Sequence, residues 1–165
     1  MVNMEERAKL HLKGLEKVLI EKEKRTVKSV VKYFDNTFTN DNIVGKDEKF
    51  WVNAYDNLLS GLFDVFAYQK HVHPELQVVH DIPQYLTEVY RKKNTDYGDS
   101  FTESMKEFGL YASVVRISDK IKRLNQLTIL TDKQEVDDER VEDTVLDAIN
   151  YTQMTLTHLL TKDDK

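Results

Sequence analysis

The stretch "VEDTVLDAINYTQMTLTHLL", Val141–Leu160, decides how this chain folds. Val141, Val145, Ala148, Thr152, Leu156 and Leu159 recur at steps of four and three, which is the period of one face of an α-helix. The opposite arc carries Asp143, Asp147 and Asn150 at i, i+4 and i+7, with Met154 in the same arc. Between Val141 and Leu160 there is no Lys or Arg. Two readings of the acidic arc follow. It is a solvated face, or it is a row of oxygen ligands for Mg2+, a cation that takes carboxylates and keeps several waters.

The segment upstream complements it. In "LYASVVRISDKIKRLNQL", Leu110, Val114, Ile117, Ile121 and Leu124 form a second core-facing stripe. Arg116, Lys120 and Arg123 make a basic stripe beside it. Like charges one turn apart cost roughly 0.2–0.5 kcal/mol per pair on a helix, and an anion in front of them removes that cost. Asp119 lies next to the stripe. It either pairs with Arg123 one turn on or faces the acids of the last helix and shares a cation with them. Carboxylates and cations on neighbouring helices suit a metal-bound polyphosphate, because the metal and the basic groups together offset phosphate charge.

Working towards the N-terminus, Glu5 to about Phe38 reads as one long helix, or two with a break, on Leu12, Leu15, Leu19, Val27, Val30, Val31 and Phe34. It is either packed on the domain along its length or a coiled-coil-like dimer arm. "NTFTNDNIVGKDE" reads as a polar loop. A second helix spans about Asp47 to Lys70, with Phe50, Trp51, Ala54, Leu58, Leu62, Val65 and Phe66 on its apolar stripe. A third starts at Ile82-Pro83, capped by Asp81, and runs to about Lys93. A fourth starts near Asp99 or Ser100 and pauses at Gly109. Nothing alternates with period two. The prediction is an all-α bundle of five to six helices in a single domain, 1–165, with an N-terminal helical part (1–80) and a C-terminal core (81–165).

Composition narrows the function. The chain has 165 residues, no cysteine and a formal net charge of −5. Disulfides and thiolate zinc sites are excluded, and broad binding to a nucleic-acid duplex, which needs a basic surface, is disfavoured. No signal core stands at the N-terminus, and no apolar run nears the roughly 20 residues that span a bilayer. A cytoplasmic protein is expected. His71, His73 and the pair His80-Asp81 bring metal-dependent HD phosphohydrolases to mind. Pro83, two residues on, puts that pair at a helix start rather than inside a helix, so capping is the better account.

One loop has more than capping in it. "YRKKNTDYGDSF", Tyr90–Phe101, holds Asp96, Tyr97 and Gly98 between two predicted helices. An aromatic ring, a permissive glycine and flanking acids suit a loop that closes over a ligand. "KNTDYGDSF", then "VVRISDKIKRLNQL", then "VEDTVLDAINYTQM" together resemble the nucleotide modification associated domain 1 family, common in bacteriophages and their hosts. The resemblance covers about Tyr85 to Leu160. Its helices and acidic motifs look similar to all-α nucleoside triphosphate pyrophosphohydrolases of the MazG and dimeric dUTPase type, which hold Mg2+ on acidic motifs of two successive helices. The resemblance therefore implies a Mg2+-dependent pyrophosphohydrolase that is a homo-oligomer, located in the host cytoplasm if phage-encoded.

In that reading Asp119 and Asp147 are catalytic, and Asp119, Asp143, Asp147 and Asn150 hold the metal. Lys120 and Arg123, with Arg116, contact phosphates. Lys93, Asp96, Tyr97 and Gly98 complete the substrate-binding set, with Tyr97 against the base. The sequence departs from the pyrophosphohydrolase pattern in offering Asp119 alone on the first helix. That keeps a second reading open, a non-catalytic module that sequesters a nucleotide or signalling molecule or binds a host protein.

Overall fold

The computed structural model describes residues 2–72, 91, 100–129 and 141–161. Six helices order these residues, and no strand occurs among them: α1 (Met4–Thr37), α2 (Asn40–Ile43), α3 (Glu48–Val72), α4 (Ser100–Phe108), α5 (Leu110–Ile129) and α6 (Val141–Thr161). The expected all-α bundle with a long N-terminal helix is what forms. The predicted third helix, its Asp81 cap, His73 and His80 fall outside the described residues, apart from Arg91, which is helical.

Local chemistry sets the helix ends. Asn3 accepts from the Glu6 amide at 2.8 Å, and Glu6 accepts in return from the Asn3 amide at 3.4 Å. This reciprocal capping box satisfies two amides that the first turn leaves without helical partners. The Asp47 carboxylate accepts from the Phe50 amide at 2.9 Å and starts α3. Gly109 has φ +70°. Its amide donates to the Met105 carbonyl at 2.7 Å, so a left-handed glycine ends α4 and α5 begins at the next residue.

Packing follows from the four long apolar stripes. α1 lies against α3 and α5, and α6 lies against the same two helices, so the four close a ring around one core. Val27, Val30 and Phe34 enter it from α1, Leu58, Leu62 and Val65 from α3, Ile117, Ile121 and Leu124 from α5, and Val145, Ile149 and Leu156 from α6. α4 docks on the outside of α5. The helices α1 and α3 meet closely at Gly61, where a Cβ would stand 2.9 Å from Val30 Cγ2.

A buried chain of hydroxyls ties α3, α5 and α6 together. Tyr55 Oη donates to Ser113 Oγ at 2.9 Å, and Ser113 Oγ lies 2.6 Å from Thr155 Oγ1. Thr155 gives its own proton to the Tyr151 carbonyl at 2.7 Å, so Ser113 is the donor to Thr155. Ser113, Thr155 and Tyr55 are fully buried, and satisfied polar groups at such depth hold a register, because breaking one leaves a desolvated oxygen. Burial pushes the Tyr55 phenol well above its ordinary range, and the bond to Ser113 offsets a part of that.

Two sequence expectations change. The segment after α1 is not simply a polar loop. It contains the single turn α2, and Phe38 and Ile43 are buried. Phe38 stacks on Phe34 at 4.9 Å and meets the Tyr55 ring edge-on at 5.2 Å, so two apolar residues among polar ones seal this end of the core. The other change concerns α1. Leu12 and Leu15, placed in one stripe with Val27 and Phe34, are 57% and 56% exposed. At about 1.5 Å per residue α1 is about 50 Å long, and its first half extends past the ends of its neighbours.

Candidate functional site on α4, α5 and α6

The predicted site residues divide sharply in placement. Lys93, Asp96, Tyr97 and Gly98 lie outside the described residues. The rest sit on α5 and α6, which pack against each other. The contacts Lys120–Asp147 and Ser113–Thr155 show the two helices running antiparallel.

At the seam, Lys120 Nζ stands 3.0 Å from Asp147 Oδ2, with the two side chains 35% and 22% exposed. The acidic arc of α6 is therefore not a uniformly solvated face. Asp143 at its start is exposed, Asp147 is half-buried and Asn150 is 8% exposed. Burying polar groups without compensation costs free energy, so this arc is sunk into the protein in a way that a plain surface row is not. Arg116 is half-buried, and its Nη2 donates to Ser104 Oγ of α4 at 3.3 Å. Arg116 and Lys120 thus flank the place where α4, α5 and α6 meet. Arg123, one turn further, is exposed.

Asp119 is not brought to this group. It is exposed, and it falls two residues after Ile117, which is fully buried. Two residues turn a helix by about 200°, so Asp119 faces away from α6. Among the described residues no group of three or more acids and histidines gathers around a common point. The oxygen donors in hand are Asp143, Asp147 and Asn150 on α6 alone. Two carboxylates and an amide at one-turn spacing suit Mg2+ in kind, with waters filling the other positions.

Beyond Met154 the same arc of α6 opens into a cleft of about 270 Å³. Phe101 and Met105 of α4 form one wall, and Gln153, Met154, Thr157 and His158 of α6 the other. Met154 is seven residues past Asp147, a rise of about 10 Å. One helix therefore carries an acidic end and, further along, a cleft without acids, lysines or arginines, lined by ring, thioether, amide and hydroxyl groups. Sequence reasoning placed Met154 in the arc but missed the cleft, because Phe101 and Met105 reach it only through the docking of α4. Two buried acids, Glu142 at 8% and Glu23 at 5% exposed, were likewise not anticipated. Both are single Glu residues within charged or amphipathic runs, and nothing in their spacing marks them.

Residues 93–159 match nucleotide modification associated domain 1. The domain takes in α4, α5 and nearly all of α6 and leaves α1, α2 and α3 outside. Every candidate site residue falls within it, including the Lys120–Asp147 pair. The domain's description connects this part of the chain with nucleotides. Comparison with curated proteins and with solved structures finds no match.

Proposed function

We propose that the α4–α5–α6 face of the domain binds a nucleotide. The observation that carries this reading is the half-buried pair of Lys120 and Asp147 at the α5–α6 seam, inside the segment that matches a nucleotide-related family. Lys120 and Arg116 would take the phosphates, since a cation and a guanidinium on adjoining turns match phosphate oxygens. Asp147, with Asp143 and Asn150, would hold Mg2+ while Lys120 turns from the carboxylate to a phosphate oxygen, so that opposite charges stay adjacent. When bound, the metal offsets phosphate charge and can activate water. The cleft at Phe101, Met105 and Met154 would receive the base, with Gln153 offering both a donor and an acceptor.

The reaction we propose is pyrophosphohydrolysis. Water attacks the α-phosphorus of a nucleoside triphosphate, the α–β bridging P–O bond breaks, and pyrophosphate leaves a monophosphate behind. Its support is the resemblance to all-α pyrophosphohydrolases with acids on successive helices. A second reading, binding without turnover, is favoured by the outward placement of Asp119, which leaves the carboxylates on one helix.

The two separate in one set of measurements. Purified protein is incubated with each NTP and dNTP plus Mg2+ while pyrophosphate is followed, and binding is titrated by calorimetry in parallel. Turnover that disappears in Asp147→Asn supports hydrolysis. Binding without turnover, weakened about tenfold or more in Lys120→Gln, supports the second reading; loss of a charged hydrogen bond of about 1.5–3 kcal/mol is worth that much. If no nucleotide binds a folded sample, both are wrong.

A further inference from the structure

Lys120 and Asp147 meet across the α5–α6 seam, with Nζ 3.0 Å from Oδ2. The contact joins the cation assigned above to phosphate and the carboxylate assigned above to the metal. Both side chains are partly withdrawn from water, 35% and 22% exposed. Each charge therefore leans on the other more than the members of a surface pair do.

Each component of the ligand, taken singly, meets a charge of its own sign. A divalent cation on either oxygen of Asp147 sits a few ångströms from the Lys120 ammonium, and like charges at that range repel in a half-buried site. Arg116, half-buried one turn before Lys120 on α5, adds to the positive charge such a cation faces. A phosphate group on Lys120 sits just as close to the Asp147 carboxylate, with Asp143 one turn earlier on α6. Parting the pair for one component alone leaves the other charge partly desolvated and without its counter-charge. Metal and phosphate together remove both difficulties. The carboxylate faces the metal, the metal faces the phosphate, and the phosphate faces the ammonium.

We infer that the Lys120–Asp147 contact is an autoinhibitory lock, closed to a divalent cation alone and to a phosphate group alone, and opened by the two in combination. The inference rests on the nucleotide-binding reading above and adds a coupling between the two halves of the ligand. Lys120 competes with the metal, and Asp147 competes with phosphate. Removing one competitor therefore tightens binding of the component it excluded. An ion pair that only holds α5 to α6 gives no such gain.

The test titrates each component without the other. Mn2+, which takes the same oxygen ligands as Mg2+, is added to the native chain and to Lys120→Met and Lys120→Gln with no nucleotide present, and the free ion is read by its electron paramagnetic resonance signal. Both variants should bind Mn2+ about tenfold or more tighter than the native chain, within the range of ordinary site couplings. The gain should vanish in Lys120→Met/Asp147→Asn, which a mere change of net charge would not do. In the mirror experiment inorganic pyrophosphate is titrated by calorimetry in excess chelator, and Asp147→Asn should bind it about tenfold or more tighter than the native chain. Circular dichroism checks that each variant is helical. Mn2+ binding that is no tighter in folded Lys120 variants overturns the lock. So does a gain that survives in the double variant, or pyrophosphate binding no tighter in Asp147→Asn. These outcomes leave the nucleotide-binding reading standing if the native chain still binds a nucleotide with Mg2+, and that reading fails separately if it binds none.

Discussion

The first half of α1 and the whole of α6 are alike in sequence and opposite in circumstance. Both have a stripe at steps of three and four, Ala8, Leu12, Leu15 and Leu19 on α1 and Val141, Val145, Ala148, Thr152, Leu156 and Leu159 on α6. In α6 burial reaches beyond the apolar stripe, so that even Asn150 and Glu142 are 8% exposed. In the outer half of α1 the leucines themselves lie in water, with Leu12 at 57%. A periodic stripe states that a helix has an apolar face. Whether that face is covered depends on how far the neighbouring helices reach. Here α3 and α5 cover α1 only from about Leu19 onward.

The comparison is broken most directly by truncating one residue in each region. Ile149 is fully buried on α6, and Ile149→Ala should cost about 2–5 kcal/mol through lost transfer energy and a residual cavity. In dilute protein Leu12→Ala should change stability by less than about 0.5 kcal/mol, as an exposed site does. Urea unfolding of both variants measures the contrast. An equal cost at low concentration would mean that the arm is packed within a single chain. A cost for Leu12→Ala that grows with protein concentration would instead mean that association between chains covers the arm.

The hydroxyl chain gives a smaller effect, and it probes what burial on several sides adds. Tyr55→Phe removes the donor to Ser113 and should cost about 1–2 kcal/mol. It also has a pH signature. The folded phenol ionises well above the unfolded value near 10.0, so the native state keeps its proton where the unfolded chain loses it. That contribution is intact below about pH 10 and is lost progressively as pH rises beyond it. Alkaline unfolding of Tyr55→Phe should therefore fall less steeply above pH 10 than that of the native chain. Parallel pH curves would place the Tyr55 hydroxyl in a more solvated setting than the structure gives it.

An effect of similar size comes at the joint between α4 and α5. Gly109→Ala meets no atom within 4 Å, so its cost is that of a left-handed backbone alone, about 1–2 kcal/mol. If the loss is indeed conformational, Gly109→Asn should recover a part of it, because asparagine tolerates this region. A nucleotide-binding face built from α4, α5 and α6 should also weaken its ligand in Gly109→Ala, since this joint sets the position of Phe101 and Met105. Unfolding and calorimetric titration on the same samples report the two effects separately.

Much of the fold was legible because helical faces are local. The buried positions of α6 and α5, the pause at Gly109 and the start of a helix near Asp47 follow from spacing and backbone preference within a few residues. The acidic arc was legible for the same reason. What was not legible needed contacts between distant segments. Tyr55 and Ser113 are 58 residues apart, and Ser113 and Thr155 are 42 apart. The cleft beside Met154 exists because α4 folds back at Gly109 and lays Phe101 and Met105 over α6. The outward turn of Asp119 was in principle readable from Ile117, but its place among charged neighbours made either side of α5 plausible from sequence.

By itself, then, the sequence determined that this chain is helical, which faces are apolar, and that acids and bases line two successive helices. Only the tertiary structure decided that Lys120 meets Asp147 while Asp119 does not, and that α6 lies deep in the bundle while the start of α1 stands clear of it. The reason is physical. Periodicity is a property of one helix, whereas burial, pairing and the distance between two charges depend on where another helix ends.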